Sequence, residues 1–208
     1  MAQHVEPSMT NRRTIWLRWV LANGAAVIVA MLAVLPLAVN LAYADQPAWL
    51  RGAVGGAALG LALGTVQWWL LRLPLAVDWR WIGYSVLGGA LGLAIGMMVA
   101  ESLSVAAIGE TLSRNREPVF ATGAALSAAT GGLGFGLLLG GGQWLLLRRH
   151  VRSAFCWIVV NAIGWATGLG LAALFASVGV IGWLLMAGLV NGVFSGWLVE
   201  RWTNTTGA

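Results

Sequence analysis

The sequence predicts an all-α integral membrane protein: six transmembrane helices arranged as three pseudo-repeated helical hairpins, with both termini in the cytoplasm. Composition is the first reason. Of 208 residues, 59% are hydrophobic and only 9% charged, with mean hydropathy +0.81, whereas soluble domains carry about 25% charged residues. The second reason is six long apolar runs, each sufficient for the roughly 20 residues that cross a hydrocarbon core of about 30 Å. The third is an internal repeat, with GTVQWWLLR (64–72) returning 76 residues later as GGGQWLLLR (140–148).

A polar tail, 1–13, precedes span 1 at about 15–43. Arg12-Arg13, an apolar stretch and Ala42-Tyr43-Ala44 resemble a secretion signal with a small-residue cleavage site. The apolar region is far longer than the usual 7–15 residues and opens a repeat unit, so it is read as a retained span. Pro36 interrupts it near its outer end and frees a backbone carbonyl, which Asn40, one turn later, is placed to satisfy. Span 2 covers about 50–71 and span 3 about 80–101. An outer loop, 102–118, holds Glu110, Arg114, Arg116 and Glu117, nearly balanced in charge, and 102–112 suits a short surface helix. Spans 4, 5 and 6 follow at about 119–147, 154–177 and 180–200, and the tail 201–208 completes the chain. The membrane domain is thus 14–200.

Arginines set the orientation. All twelve basic residues are Arg. With the N-terminus inside, nine lie on the cytoplasmic side (Arg12, Arg13, Arg18, Arg72, Arg80, Arg148, Arg149, Arg152, Arg201) and three outside (Arg51, Arg114, Arg116). The bacterial cytoplasmic membrane, crossed several times, is the location this implies. Because the arginines are dispersed at span ends, the net charge of +5 reads as a topology signal, and no nucleic-acid partner is expected.

The repeat aligns Gly55-Gly56 with Gly131-Gly132, Gly64 with Gly140, Gln67-Trp68 with Gln143-Trp144, and Leu71-Arg72 with Leu147-Arg148. It continues through Trp81-Ile82 with Trp157-Ile158, Gly88 with Gly164, and Gly92 with Gly168. A fainter copy pairs Trp19 to Asn23 with Trp157 to Asn161, and Ser195 takes the place of Gln143. Each hairpin then has a Trp-led outgoing helix and a glycine-rich returning one, related by an axis along the membrane normal.

Glycine recurs every four residues: Gly52, Gly56, Gly60, Gly64; Gly88, Gly92, Gly96; Gly132, Gly136, Gly140; and Gly188, Gly192, Gly196. Period four keeps each set on one helical face. In lipid, small faces let helix backbones approach closely, as in glycine-zipper and GxxxG packing. The same faces also suit a slot for a flat ligand.

At about 100° per residue, Gln67 and Gln143 fall on the glycine faces, so their amides point into the bundle. Trp68 and Trp144 lie at the edge of those faces as interface anchors, with Arg72 and Arg148 at the headgroups. Asn23, Asn161, Asn191, Ser85 and Ser195 complete a candidate polar core. An amide in hydrocarbon must find a partner. Two readings stand: bonding between helices, or a polar vestibule contacting a ligand.

Little else suggests chemistry. His4 and His150 lie outside the spans, which argues against histidine-ligated haem or chlorophyll. Glu101 and Glu200 sit at span ends, which removes weight from proton pumps. One cysteine, Cys156, excludes an internal disulfide. Gly192 to Gly196 superficially suggests an intramembrane serine-protease motif, with the wrong spacing and no partner His. No catalytic residue, metal site or cofactor is expected, and the chain is not read as an enzyme.

With these motifs in place, the chain resembles a loose group of bacterial multi-span membrane proteins with repeated G-x-x-Q-W-L-x-L-R motifs. The matching residues are Gly64, Gln67, Trp68, Leu71 and Arg72, then Gly140, Gln143, Trp144, Leu145, Leu147 and Arg148, with Trp69 departing from the pattern. Trp157 to Gly168 matches the following span. The resemblance covers roughly residues 50–170 and implies an architecture, with no activity attached. The functional expectation is a structural or accessory subunit whose partners are the bilayer and other membrane proteins or further copies of itself. The alternative is a transporter-like protein binding a small molecule or lipid.

Overall fold

A computed structural model of the chain describes residues 9–43, 46–114, 117–174 and 179–205. His4, Ala44 of the cleavage-like site, and Arg116 of the outer loop lie outside these. Among the described residues the protein is entirely α-helical: α1 (Met9–Tyr43), α2 (Ala48–Leu71), α3 (Arg80–Arg114), α4 (Glu117–Leu147), α5 (Phe155–Leu174) and α6 (Gly179–Thr205). Five stretches are long and apolar enough to cross a membrane: Thr14–Ala33, Ala48–Leu71, Arg80–Ser102, Gly123–Leu147 and Phe155–Leu174. Each buries less than half of its residues in the protein. The remainder, such as Leu21, Val29, Leu87 and Leu126, is exposed and apolar, as a surface bathed in lipid requires.

Each helix packs against its neighbours in the chain, and α1 packs against α6, so the six form a closed ring. The glycine rows explain how closely they do so. A Cβ on Gly52 would lie 2.5 Å from the Leu93 carbonyl oxygen, and Cβ atoms on Gly56 and Gly60 would collide with the carbonyls of Gly89 and Ser85. These residues bring α2 onto α3. Gly88, Gly92 and Gly96 meet the α4 backbone at 2.6–2.8 Å, at Leu138, Phe135 and Gly131. Gly132 and Gly136 meet the α5 carbonyls of Trp165 and Asn161, and Gly140 approaches Ile158 at 3.1 Å. Gly164 and Gly168 face Asn191 and Ala187 of α6, while Gly188, Gly192 and Gly196 face α1. Every row thus points to the next helix round the ring. From α2 to α5 most of these contacts are backbone against backbone, which leaves no flexible side chain to yield, whereas Gly164 meets the Asn191 amide and Gly188 and Gly196 meet side chains of Val27, Trp16 and Trp19.

Inside the ring the residues stack in layers one helical turn apart. Trp19, Trp81, Trp157 and Trp202 form an apolar cluster with Leu71 and Leu147 at the arginine-flanked end. The Trp157 ring centroid lies 5.9 Å from Trp19, 6.0 Å from Trp81 and 5.7 Å from Trp202. Four residues further along each helix come Asn23, Gln67, Ser85, Gln143, Asn161 and Ser195, all fully buried. A further turn on, Val27, Leu63, Leu139 and Trp165 join Phe135 and Ala187 in a second apolar cluster. The polar layer is therefore sealed on both sides.

Two local features differ from the sequence reading, and a third was not foreseen by it. The outer loop expected at 102–118 is largely helix, because α3 continues unbroken to Arg114 and α4 begins at Glu117. No Pro or Gly-rich turn lies between Glu101 and Ser113 to stop it. Asn40 does donate its side-chain amide, at 2.8 Å, but to the carbonyl of Pro36 itself. The carbonyl that a proline frees is the one four residues before it, that of Leu32, which lies out of reach a further turn away. The turn between α2 and α3 carries Ala76 at φ 49°, a left-handed conformation that favours glycine. It lets Leu75 and Val77 both turn inward and seal the tryptophan layer from below.

Gly56→Val and Gly60→Val are each expected to lower stability in detergent by on the order of 2 kcal/mol, through overpacking against backbone. Gly83→Ala, whose Cβ meets nothing within 4 Å, should leave the melting temperature unchanged or raise it. Thermal unfolding of the three purified variants checks both expectations.

Candidate functional site

The buried polar layer is the chemically distinctive part of the molecule, and its order begins within single helices. Asn23 donates to the Trp19 carbonyl at 2.8 Å, Ser85 to the Trp81 carbonyl at 2.7 Å, and Asn161 to the Trp157 carbonyl at 2.9 Å. In each case a short polar side chain bonds back one turn, to the carbonyl of a tryptophan. This back-bonding leaves the Asn23 carbonyl oxygen aimed across the bundle.

The glutamines join the helices. Gln67 Nε2 donates to Asn23 Oδ1 at 2.8 Å. Gln143 Nε2 uses both its hydrogens, one on Gln67 Oε1 at 2.8 Å and one on Ser85 Oγ at 2.9 Å. Gln143 Oε1 accepts from Trp157 Nε1 at 2.8 Å. The result is a directed chain running from the Trp157 indole through Gln143, Gln67 and Asn23 to the Trp19 carbonyl. Trp19 Nε1 then donates to Ser195 Oγ at 2.9 Å, and Ser195 donates to the Asn191 carbonyl at 2.7 Å. One connected network therefore touches all six helices. Bonds arranged head to tail polarise one another, and their strength grows in an apolar surrounding.

Of the candidate residues named from sequence, Asn23, Gln67, Ser85, Gln143 and Ser195 are brought together by these cross-helix bonds. Asn161 lies in the layer but is not joined across it, and Asn191 lies one turn further along α6, against Gly164. Asn161 bonds only its own helix, and its Oδ1, both amide atoms of Asn191, and the indole nitrogens of Trp81 and Trp165 are buried without a partner. Ser195, which the sequence aligns with the glutamines, bonds the Asn191 backbone carbonyl and the Trp19 indole and makes no bond to Asn161. Gly164 lets the Asn191 amide lie directly on the α5 backbone, where a Cβ would sit 2.6 Å from Asn191 Oδ1.

Sequence reasoning did not include Trp19 and Trp157 as members of the network. The signal was present: each leads its span and precedes an asparagine by four residues, so both face the same way. Trp68 and Trp144 are half-buried and carry Arg72 and Arg148 above their rings, at 5.4 and 5.1 Å to the centroid. The same pairing recurs at Trp197 and Arg201, at 5.6 Å. Such contacts hold the guanidinium groups at span ends.

Amides, a hydroxyl and indoles offer hydrogen bonds but no group that titrates near neutrality. No group of three metal-ligating side chains occurs among the described residues. No protein-family model, curated protein or solved structure matches the chain.

Gln143→Leu removes three interhelical bonds and strands the Trp157 indole and the Gln67 carbonyl, so it is expected to cost about 2–4 kcal/mol. Gln67→Leu should cost less, since it breaks two. The double variant should cost less than the sum, because the two residues share a bond. A double-mutant cycle by thermal unfolding measures all three.

Proposed function

We propose that the protein is a non-enzymatic structural or accessory subunit of the bacterial cytoplasmic membrane, with six spans built as three glycine-zipper hairpins and both termini inside. It belongs in this reading with the membrane proteins that share its repeated Gln-Trp motif. The observation that carries the proposal is where the amides direct their bonds. Gln67, Gln143 and Asn23 bond one another, with tryptophans sealing one side and Phe135, Leu139 and Trp165 the other. Such bonding holds the helices in register and turns these three amides towards one another. Its outer faces remain apolar and exposed for lipid or partner helices.

A second reading, a transporter-like protein binding a small polar molecule, draws on the unpartnered atoms of Asn161 and Asn191. Gly164 and Ser195 would then be the residues that make room for a ligand.

Purification in mild detergent, with mass spectrometry of the proteins that accompany the chain, separates the two. The accessory reading expects a stoichiometric membrane-protein partner or a defined oligomer, lost or weakened when Gln67 and Gln143 are both changed to leucine. Retained assembly in that variant, together with loss of binding or uptake of a small solute, supports the second reading instead. Orientation is checked independently. A reporter active only in the cytoplasm should work when fused after residue 208 and fail when inserted between α3 and α4.

A further inference from the structure

One seam of the ring is built differently from the rest. The rows on α2, α3, α4, α5 and α6 each place glycine against the next helix, but no glycine stands between α1 and α2. The single glycine in α1, Gly24, faces Leu185 and Leu189 of α6. The α1–α2 seam is crossed by the Asn23–Gln67 bond, and two cavities open along it. One, of about 370 Å³, is an apolar furrow between Ala25, Val29 and Ala33 on α1 and Ala58, Leu61 and Ala62 on α2. Thr65, at its edge, donates its hydroxyl to the Leu61 carbonyl and offers the furrow no free donor. The other, of about 390 Å³, lies at the arginine-flanked end of the seam, where Arg18 and Trp19 of α1 and Leu70 of α2 meet Leu73 of the following turn and Val199 of α6. Arg18 is exposed and makes no ion pair among the described residues.

We infer that the α1–α2 seam binds an anionic glycerophospholipid of the surrounding bilayer, its phosphate on Arg18 and one acyl chain in the alanine-lined furrow. The furrow rises about 12 Å from Ala25 to Ala33 and is lined almost wholly by alanine, valine and leucine, the length and polarity of an acyl chain. Depth agrees as well. A leaflet holds about 15 Å of hydrocarbon, so a chain hanging from Arg18, at about 1.5 Å per residue, reaches the level of Ala25 and Val29. Charge selects the headgroup. The Arg18 cavity has no carboxylate among its lining residues to receive the ammonium of a zwitterionic lipid, whereas a net anionic headgroup meets only the guanidinium.

The test uses the full chain in mild detergent, with phosphatidylglycerol and phosphatidylethanolamine as probes, read by native mass spectrometry and thermal unfolding. The wild-type protein should retain phosphatidylglycerol and gain more stability from it than from phosphatidylethanolamine. Arg18→Gln should bind phosphatidylglycerol about fivefold more weakly and lose the preference. Ala25→Trp, at an exposed position, should reduce retention of both lipids without lowering the melting temperature measured in their absence. Equal stabilisation by the two lipids, or undiminished retention in both variants, overturns the proposal. So does a lipid-free dimer whose interface is lost on filling the furrow, which assigns the seam to a second copy. None of these results depends on whether a partner protein co-purifies.

Discussion

Backbone meeting backbone is the interaction on which the rest of this structure depends. In hydrocarbon, burying a leucine against a neighbouring helix gains little over leaving it in lipid, so apolar area cannot hold a bundle together as it does in water. Close approach can, and it requires that Cβ atoms be absent along the line of contact. Five seams meet that requirement with glycine rows at a period of four, each directed to the next helix round the ring. The sixth seam, where α1 carries no such row, is lined by an apolar furrow between α1 and α2.

Close approach also explains why the polar layer works. Amide side chains can bridge helices at 2.8 Å only if the axes are already near. Once bridged, each amide removes a penalty that it would incur in an apolar medium. The layer lies between a cluster of four tryptophans and a second apolar cluster, so water does not compete for its bonds. Close packing and the network are thus mutually dependent: the glycines set the distance, and the amides fix the register in which the helices meet. The unsatisfied atoms of Asn161 and Asn191 show the same dependence from the other side. Where two other helices carry glutamine, α6 carries Ser195, whose bonds go to the Asn191 backbone carbonyl and the Trp19 indole.

Helices, their order and their apolar outer faces were legible in composition and run length, because crossing a bilayer demands a length and a polarity that no neighbouring residue can alter. The inward direction of Gln67 and Gln143 was legible for a similar reason. Helical geometry alone puts them on the face that carries Gly52 to Gly64 and Gly132 to Gly140. A helix at 102–112 was legible, but its unbroken continuity with α3 as far as Arg114 was not, because no breaker separates it from the span. The role of Asn40 was misjudged because the carbonyl that Pro36 frees is that of Leu32, eight residues before Asn40, whereas the side chain bonds back only one turn, to Pro36 itself.

What the sequence by itself determined is the periodic part: spans of bilayer length, glycines at every fourth residue, and a tryptophan followed four residues later by a short polar side chain. These follow from bond geometry within one helix. Only the tertiary structure decided the partners. It set Gln143 between Gln67, Ser85 and Trp157, gave the Trp19 indole to Ser195, left Asn191 unpaired and formed the furrow between α1 and α2. Such choices depend on distances between helices, which emerge when six faces close into one ring and which no single helix encodes.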